Sequence, residues 1–397
     1  MGAEALLTVA DRVSDVKAAL ADSNLDGWLL YEFHGQNRVA GALLGLETTM
    51  RRSFTMVPVE GDPVALIHAV EPSSWRHWPW RKIVYSGWRD MEACLAELLE
   101  GKERVAMEVS RRSSVPTMDM VPSGVVDLVL DSGVEIVSSG NLISTFYSAW
   151  SAEQLEEHRN SAEVVKAVAR DAFERAAEAA RSGSPLSEGD LTRWIEAELP
   201  ARGISLGVGC IVAIGPRAAD PHYEPGPTGE VIAKGELLLI DLWGKATEEG
   251  VPADQTWMGI LDDHVPDRAR EIWEAVRDAR DAAVDFLRTR FEEGSEVKAF
   301  EIDDVARRVI EERGYGESFV HRTGHSIDRE LHGSGPNLDN LETRDDRLLV
   351  PGVGFSIEPG IYLADDIGIR SEINVNWGVS GPEVTPGEPQ MEIFTLL

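Results

Sequence analysis

Cysteine is scarce: Cys94 and Cys210 are the only two among 397 residues. Two thiols cannot build a disulfide framework, so a reducing cytoplasmic setting is expected and both are read as inert core residues, not nucleophiles. No run of about eighteen apolar residues occurs, which excludes a transmembrane helix. Basic residues are also short, with 38 Lys and Arg against 69 Asp and Glu and a net charge of −31. That balance excludes the basic stripe a nucleic-acid surface needs and disfavours anionic membranes. The acid excess itself reads as solvated helix surface. The start, Met1-Gly2-Ala3-Glu4, lacks a basic signal-peptide region, and Leu6 stands where a myristoylation pattern wants Ser or Thr.

The length favours two domains. Helical periodicity over 7–22 is followed by the buried strand 26–31, and Arg52–Val59 and Val64–His68 read as two strands joined by Glu60-Gly61-Asp62-Pro63. A helix over 89–100, a strand over Arg104–Val109, a helix over 118–131 and a strand over Val134–Val137 complete an α/β pattern for residues 1–150. Within it Trp75, Trp78, Trp80 and Trp88 interleave with Arg76, Arg81, Lys82 and Arg89. Such a cluster could recognise a carboxylate or cover a partner subunit's site; packing or a dimer interface is the more ordinary role. Ser151 with Gln154 forms a capping-box signature that opens a long helix over about 152–181 and a second domain, 151–397. Ser187 with Asp190 starts another helix, and 266–291 and 299–313 are helical again.

Nine histidines occur in the chain, and three fall between His321 and His332. Histidine is suited to binding metals and moving protons near neutral pH. Carboxylates flank this stretch in two hairpins. The strand Glu236–Gly244 carries Asp241, and Asp254 follows beyond the turn Thr247-Glu248-Glu249-Gly250. A two-residue loop would set Asp254 opposite Asp241, and a four-residue loop would set it opposite Trp243, still on Asp241's face. In the second hairpin, symmetry about Asp365 sets Glu358 opposite Glu372, and Pro359 holds Glu358 extended. Adjacent carboxylates repel and stay ionised only around a cation or proton. Two aspartates, two glutamates and a histidine suit two divalent ions, with Mn²⁺, Co²⁺, Fe²⁺ and Zn²⁺ all compatible. Two such ions roughly 3.5–4 Å apart can share a hydroxide and polarise a carbonyl.

The order Asp241, Asp254, His325, Glu358, Glu372 resembles the ligand set of the M24 metallopeptidases, the pita-bread family of methionine aminopeptidase, prolidase, aminopeptidase P and creatinase. Ile240-Asp241-Leu242-Trp243-Gly244, Asp254-Gln255-Thr256-Trp257, Thr323-Gly324-His325 with His332, Ile357-Glu358-Pro359-Gly360 and Arg370-Ser371-Glu372 carry the likeness, over about residues 155–397. The first domain resembles, more weakly, that of prolidase and creatinase. His321, four residues before His325, is similar to prolidase and aminopeptidase P.

The resemblance implies an α+β fold, with a pita-bread catalytic domain after an α/β creatinase-type domain. It implies two divalent ions, Mn²⁺ first among them, on those five residues, and hydrolysis of an Xaa-Pro bond at a peptide N-terminus. Glu358 would shuttle the proton, while His222 and His332 would steady the substrate and its oxyanion. His321, Arg370 and Thr256 are candidates for supporting or pocket roles. A homodimer is also implied. Three departures bear on the pocket: a hairpin between the aspartates two residues longer than usual, Ser326 and Asp328 where glycines are common, and Ile373-Asn374 after Glu372. A creatinase-like amidinohydrolase, another amide or ester hydrolase, and a non-catalytic binding module remain open. Seven residues separate His325 from His332, so both serve one site only if the chain turns between them.

Overall fold

The computed structural model describes residues 5–207 and 209–397; Met1–Glu4, on which the reading of the N-terminus rests, lie outside it. The chain divides into two compact units, Met1–Tyr147 and Ser148–Leu397.

The first unit is built on β1 (Gly27–Glu32), β2 (Ser53–Pro58), β3 (Val64–His68), β4 (Arg81–Tyr85), β5 (Arg104–Met107) and β6 (Glu135–Ser138), ordered β4-β3-β2-β1-β5-β6. Around them lie α1 (Ala10–Asp22), α2 (Arg38–Leu44), α3 (Trp88–Leu99), α4 (Ser123–Leu130) and the short α5 (Gly140–Ile143). Every residue of β1 is buried because both sheet faces are covered. Trp28 and Leu30 pack into one core with Val57, Ala65 and Ile67, and Leu29 and Tyr31 into the other with Met56 and Leu66.

Several expected boundaries move. The first helix begins at Ala10 behind a 3₁₀ turn, Leu6–Thr8. The helix expected over 118–131 begins at Ser123, since Pro122 is held extended before it. Trp75 and Trp78 are core residues whose rings meet edge to face at 5.7 Å. Arg81 and Lys82 of that cluster lie on an edge strand, β4, and Arg89 on α3. Trp88 is exposed under the Arg89 guanidinium, 4.2 Å from its ring. Cys94 is only half-buried, which corrects its reading as a core residue; Cys210 is buried, and burial pushes its thiol pKa up.

The second unit opens with α6 (Ala152–Arg181) and α7 (Glu188–Ala201), both started by capping boxes, on Ser151 with Gln154 and Ser187 with Asp190. Next come β7 (Ile211–Ile214), β8 (Leu237–Gly244), β9 (Ala253–Ile260), α8 (Asp267–Glu292) and α9 (Ala299–Glu312). Then follow β10 (Ser326–Ile327), β11 (Gly354–Ile357), β12 (Gly360–Leu363), β13 (Ile367–Arg370), β14 (Ile373–Gly378), β15 (Gly381–Thr385) and β16 (Phe394–Thr395). One sheet is ordered β16-β9-β8-β7, another β10-β11-β14-β15, and β12 pairs with β13.

Strand periodicity sorts β8 between two cores. Leu238, Ile240 and Leu242 meet Val165, Ala169 and Phe173 of α6, whereas Leu237 and Leu239 face α8 and the second sheet through Phe355, Ile357 and Val375. Asp241 has the parity of Leu237 and Leu239, and Asp254 that of Met258 and Ile260. Both acids therefore end the face turned toward β11 and β14.

Candidate metal centre

The β8–β9 register pairs Trp243 with Asp254 and Asp241 with Thr256, the second of the two arrangements the hairpin spacing allows. In the other hairpin Ile357 faces Ile373 and Gly360 faces Arg370, one common register on either side of Glu358 and Glu372. The ladder opens between these pairs. Glu358 N–H donates to the Thr323 carbonyl at 2.8 Å, and Glu372 N–H donates to that of Thr256 at 3.4 Å. Asp254 N–H donates to Asn374 Oδ1 at 2.8 Å, which ties the first hairpin to the second.

His325 enters through β10. Its N–H donates to Ser356 Oγ at 2.9 Å, and that hydroxyl donates to Glu358 Oε1 at 3.0 Å. Its Nδ1 faces the Ser326 carbonyl at 3.1 Å, so Nε2 is left toward the acids, 3.4 Å from both Asp254 Oδ2 and Glu358 Oε1. Donor atoms of Asp254, His325 and Glu372 lie within 4.8 Å of one another, and all three residues are buried. Asp241 is drawn to Arg370, whose Nη2 donates to its Oδ2.

Arg370 is largely committed. Its Nε donates to Thr256 Oγ1 at 2.9 Å, and Thr256 in turn donates to Glu372 Oε2 at 2.8 Å. Its Nη1 reaches the Tyr362 hydroxyl at 3.3 Å, which lies 2.8 Å from His321 Nε2. His321 Nδ1 faces the Arg322 carbonyl at 2.7 Å. Thus Arg370, Thr256 and His321 form one buried network behind the acids. His222 is not drawn into it: the residue is exposed, and its ring makes no hydrogen bond or ion pair among the described residues. Only the carbonyl of its neighbour Pro221 meets Arg370, at 3.4 Å.

The electrostatics are those of acids short of positive charge. Burial, the Asp254 and Glu358 charges raise Asp241 to about 7 against the pull of Arg370. Burial and the other three acids raise Glu372 well above the carboxylate range. Burial alone would raise Glu358 too, but His325, His321 and Arg370 outweigh it and hold it low. For His325 burial works against the charged form, yet Asp254 and Glu358 raise its pKa. Burial and the neighbouring His325 push His332 down to about 4. Asp241 Oδ1 and Glu372 Oε1 are buried without a hydrogen-bond partner. Orphaned anionic oxygens beside a ring nitrogen are the donors a divalent cation takes up, so the residues present fit such an ion.

Sequence reasoning missed several supports. Asp303 of α9 accepts from Thr323 N–H and Oγ, from Asn340 N–H, and from Arg307, whose guanidinium donates to the Phe319 and His321 carbonyls. Arg280, fully buried, donates to Ser371 Oγ and to the Gln390 carbonyl, both at 2.8 Å, beside Glu372. Arg322 is half-buried, and its guanidinium makes no hydrogen bond or ion pair among the described residues. Its charge nevertheless acts on Glu358, His325 and His332. Asp303 and Arg280 lie on amphipathic helices, where an acid or base reads as surface; nothing local marks them.

A set of hairpin carboxylates around one histidine defines a divalent-metal hydrolase type of site. The sequence pattern of metallopeptidase family M24 matches residues 156–376, and the chain belongs to that family. It is 35% identical over 203 residues to an Xaa-Pro dipeptidase of Lactobacillus delbrueckii subsp. lactis, covering 51% of this chain and 50% of that one. A probable dipeptidase PepE of Mycobacterium tuberculosis is 33% identical over 186 residues, covering 47% of this chain and 46% of the relative. The chain thus spans about half the length of the curated relatives it matches. In structure it is similar to dipeptidase PepE from Mycobacterium ulcerans, with a TM-score of 0.73 at 24% identity over 99% of this chain and 98% of that one. Prolidase from Thermococcus sibiricus gives 0.63 at 23% identity over 97% and 98%. These likenesses establish the fold: a mixed α/β domain followed by a pita-bread domain. No helix among the described residues is long and apolar enough to cross a membrane.

Proposed function

We propose that this chain is a metal-dependent peptidase that cuts the Xaa-Pro bond at the N-terminus of dipeptides or short peptides. The observation that carries the reading is the convergence of Asp254, His325 and Glu372, with Asp241 and Glu358 beside them and two carboxylate oxygens left unpartnered. These five residues would hold two divalent ions, Mn²⁺ being the first to test and Co²⁺, Zn²⁺ or Fe²⁺ the others. Bound there, the ions would acidify water and polarise the scissile carbonyl.

The chain's own groups do the rest. Glu358, kept ionised by the surrounding cationic groups, takes the proton of the attacking water and returns it to the leaving nitrogen. His332, neutral near pH 7, offers a ring N–H to the developing oxyanion. His222 is exposed and reaches substrate only as a group at the rim. Arg370 is tied to Asp241, Thr256 and Tyr362, so Arg322, whose guanidinium has no partner among the described residues and whose charge acts on Glu358, is the candidate for a peptide carboxylate. The two unpaired cysteines are compatible with a reducing cytoplasm; the homodimer is read by sedimentation.

The test is hydrolysis by metal-stripped protein with and without Mn²⁺. The panel holds an Xaa-Pro dipeptide, an Xaa-Pro-Xaa tripeptide, a matched Xaa-Ala peptide and creatine. Mn²⁺-dependent cleavage of the proline peptides alone is the expected result, and the dipeptide-to-tripeptide ratio sets the subclass. Cleavage of creatine, or of nothing despite bound metal, would reject the substrate assignment. Asp254→Ala should abolish the turnover while circular dichroism stays native.

A further inference from the structure

We propose that Asp328 is a positioning residue that turns the chain so that His332 is delivered onto His325. The proposal rests on the reading of His332 as a substrate-facing group. A regular strand would place residues seven apart on opposite faces. Here the rings of His325 and His332 instead meet edge to face, with centroids 4.3 Å apart.

What reverses the chain is a closed turn whose centre is the Asp328 carboxylate. Gly333 N–H donates to the Ser326 carbonyl at 2.7 Å, and Asp328 N–H donates to the Glu330 carbonyl at 3.1 Å. The carboxylate then accepts from donors of the turn and from outside it. Oδ1 takes Glu330 N–H at 2.9 Å; Oδ2 takes Ser334 N–H at 2.7 Å and Ser148 Oγ–H at 3.1 Å. Asp328, Ser334 and Ser148 are buried, so the Ser334 N–H and the Ser148 hydroxyl have no water to turn to if the carboxylate is lost. The return leg passes so close that a Cβ at Gly333 would lie 2.8 Å from Asp328 N and Ser326 Oγ and 2.9 Å from Asp328 Cγ. From outside, Lys245 Nζ donates to the Arg329 carbonyl, so the hairpin turn after β8 braces the same reversal. His332 stands immediately before Gly333, and its place is set by this turn.

Two readouts test the proposal. The first needs no turnover: histidine ring resonances of metal-free protein, with His332 assigned by its loss in His332→Ala. Asp328→Asn, which keeps the shape but replaces one acceptor oxygen, should shift the His332 signal as its ring leaves the His325 ring, and leave His158 and His77 in place. Ser148→Ala, which removes one donor only, should move it less in the same direction. The second is a double-mutant cycle on the best peptide of the panel. Asp328→Asn should lower kcat/KM about tenfold or more, as loss of a hydrogen bond to a charged group does. In the His332→Ala background the same change should cost less than about twofold. Metal content should equal the wild type's. An unmoved His332 signal, a full cost in the His332→Ala background, or loss of metal from Asp328→Asn would each overturn the proposal. If wild-type protein cleaves no peptide in the panel, the substrate assignment fails while the resonance arm still decides the role of Asp328.

Discussion

Replacing Glu372 with glutamine should make the metal-free protein more stable and the metal-loaded protein less so. Glu372 is buried, Oε1 has no partner, and Thr256 is the hydroxyl on Oε2. Burial and the charges of Asp254, Glu358 and Asp241 raise its pKa well above 4.5. A carboxyl raised on folding stabilises the fold where it is protonated in both states, and that contribution is lost as pH climbs above the unfolded value. The loss accrues at up to about 1.4 kcal/mol per pH unit between the unfolded value and the raised folded one. Glutamine has no such titration and keeps an oxygen for the Thr256 hydroxyl. Urea denaturation in a chelator should therefore show the Glu372→Gln variant gaining on wild type as pH rises from 5 to 7, by up to about 1.4 kcal/mol per unit. With Mn²⁺ at a hundred times its Kd, wild type should recover about 2.7 kcal/mol and the variant much less. A variant less stable than wild type in chelator at pH 7, or equally stabilised by Mn²⁺, would refute the view that Glu372 is a charge waiting for a cation.

Local signals in the chain were legible in proportion to how local their physics is. The capping boxes on Ser151-Gln154 and Ser187-Asp190 sit where the sequence puts them, because a cap is satisfied within four residues. The shared face of Asp241 and Asp254 follows from strand parity alone, although the choice between two registers depends on how the loop packs. In contrast, α2 is seven residues long, too short to show a period; Asn37 caps it by accepting from Ala40 N–H, and Gly45 ends it in the left-handed region. The strand β4 hid because an edge strand can expose Arg81 and Lys82, and its pattern reads as a basic loop. Within the site, the acids and the histidine carry a recognisable order, but what aims them is long-range. Asp303 reaches Thr323 across twenty residues, Asn374 reaches Asp254 across 120, and Arg280 reaches Ser371 across 91. His222 shows the converse: a suggestive neighbourhood in the chain does not bring the ring into the network.

Three further outcomes are expected. Arg322→Met should raise KM for an Xaa-Pro dipeptide by about tenfold or more, the worth of a charge-assisted hydrogen bond, and hardly change it for the C-terminal amide of the same peptide; equal effects on both would remove Arg322 from carboxylate recognition. Asp303→Ala leaves Arg307 without its carboxylate and Thr323 without its acceptor, and should cost about 3–5 kcal/mol in a denaturant titration. The third concerns how metal uptake depends on pH. In metal-free protein, Asp241 titrates at about 7, and both Glu372 and His325 are raised above their ordinary values. Each holds a proton that a cation must displace, because only carboxylate and neutral imidazole are ligands. Binding therefore releases protons, and more of them as pH falls, so affinity should weaken below about pH 7 by up to about tenfold per unit for each proton displaced. Calorimetry of Mn²⁺ binding at pH 6.5 and 8, in two buffers of different ionisation enthalpy, measures the number directly. More protons should appear at pH 6.5 than at 8. A binding enthalpy that ignores the buffer at both values would mean that the acids and His325 are already stripped of protons before the ion arrives, and that the burial of this cluster is balanced by some other charge.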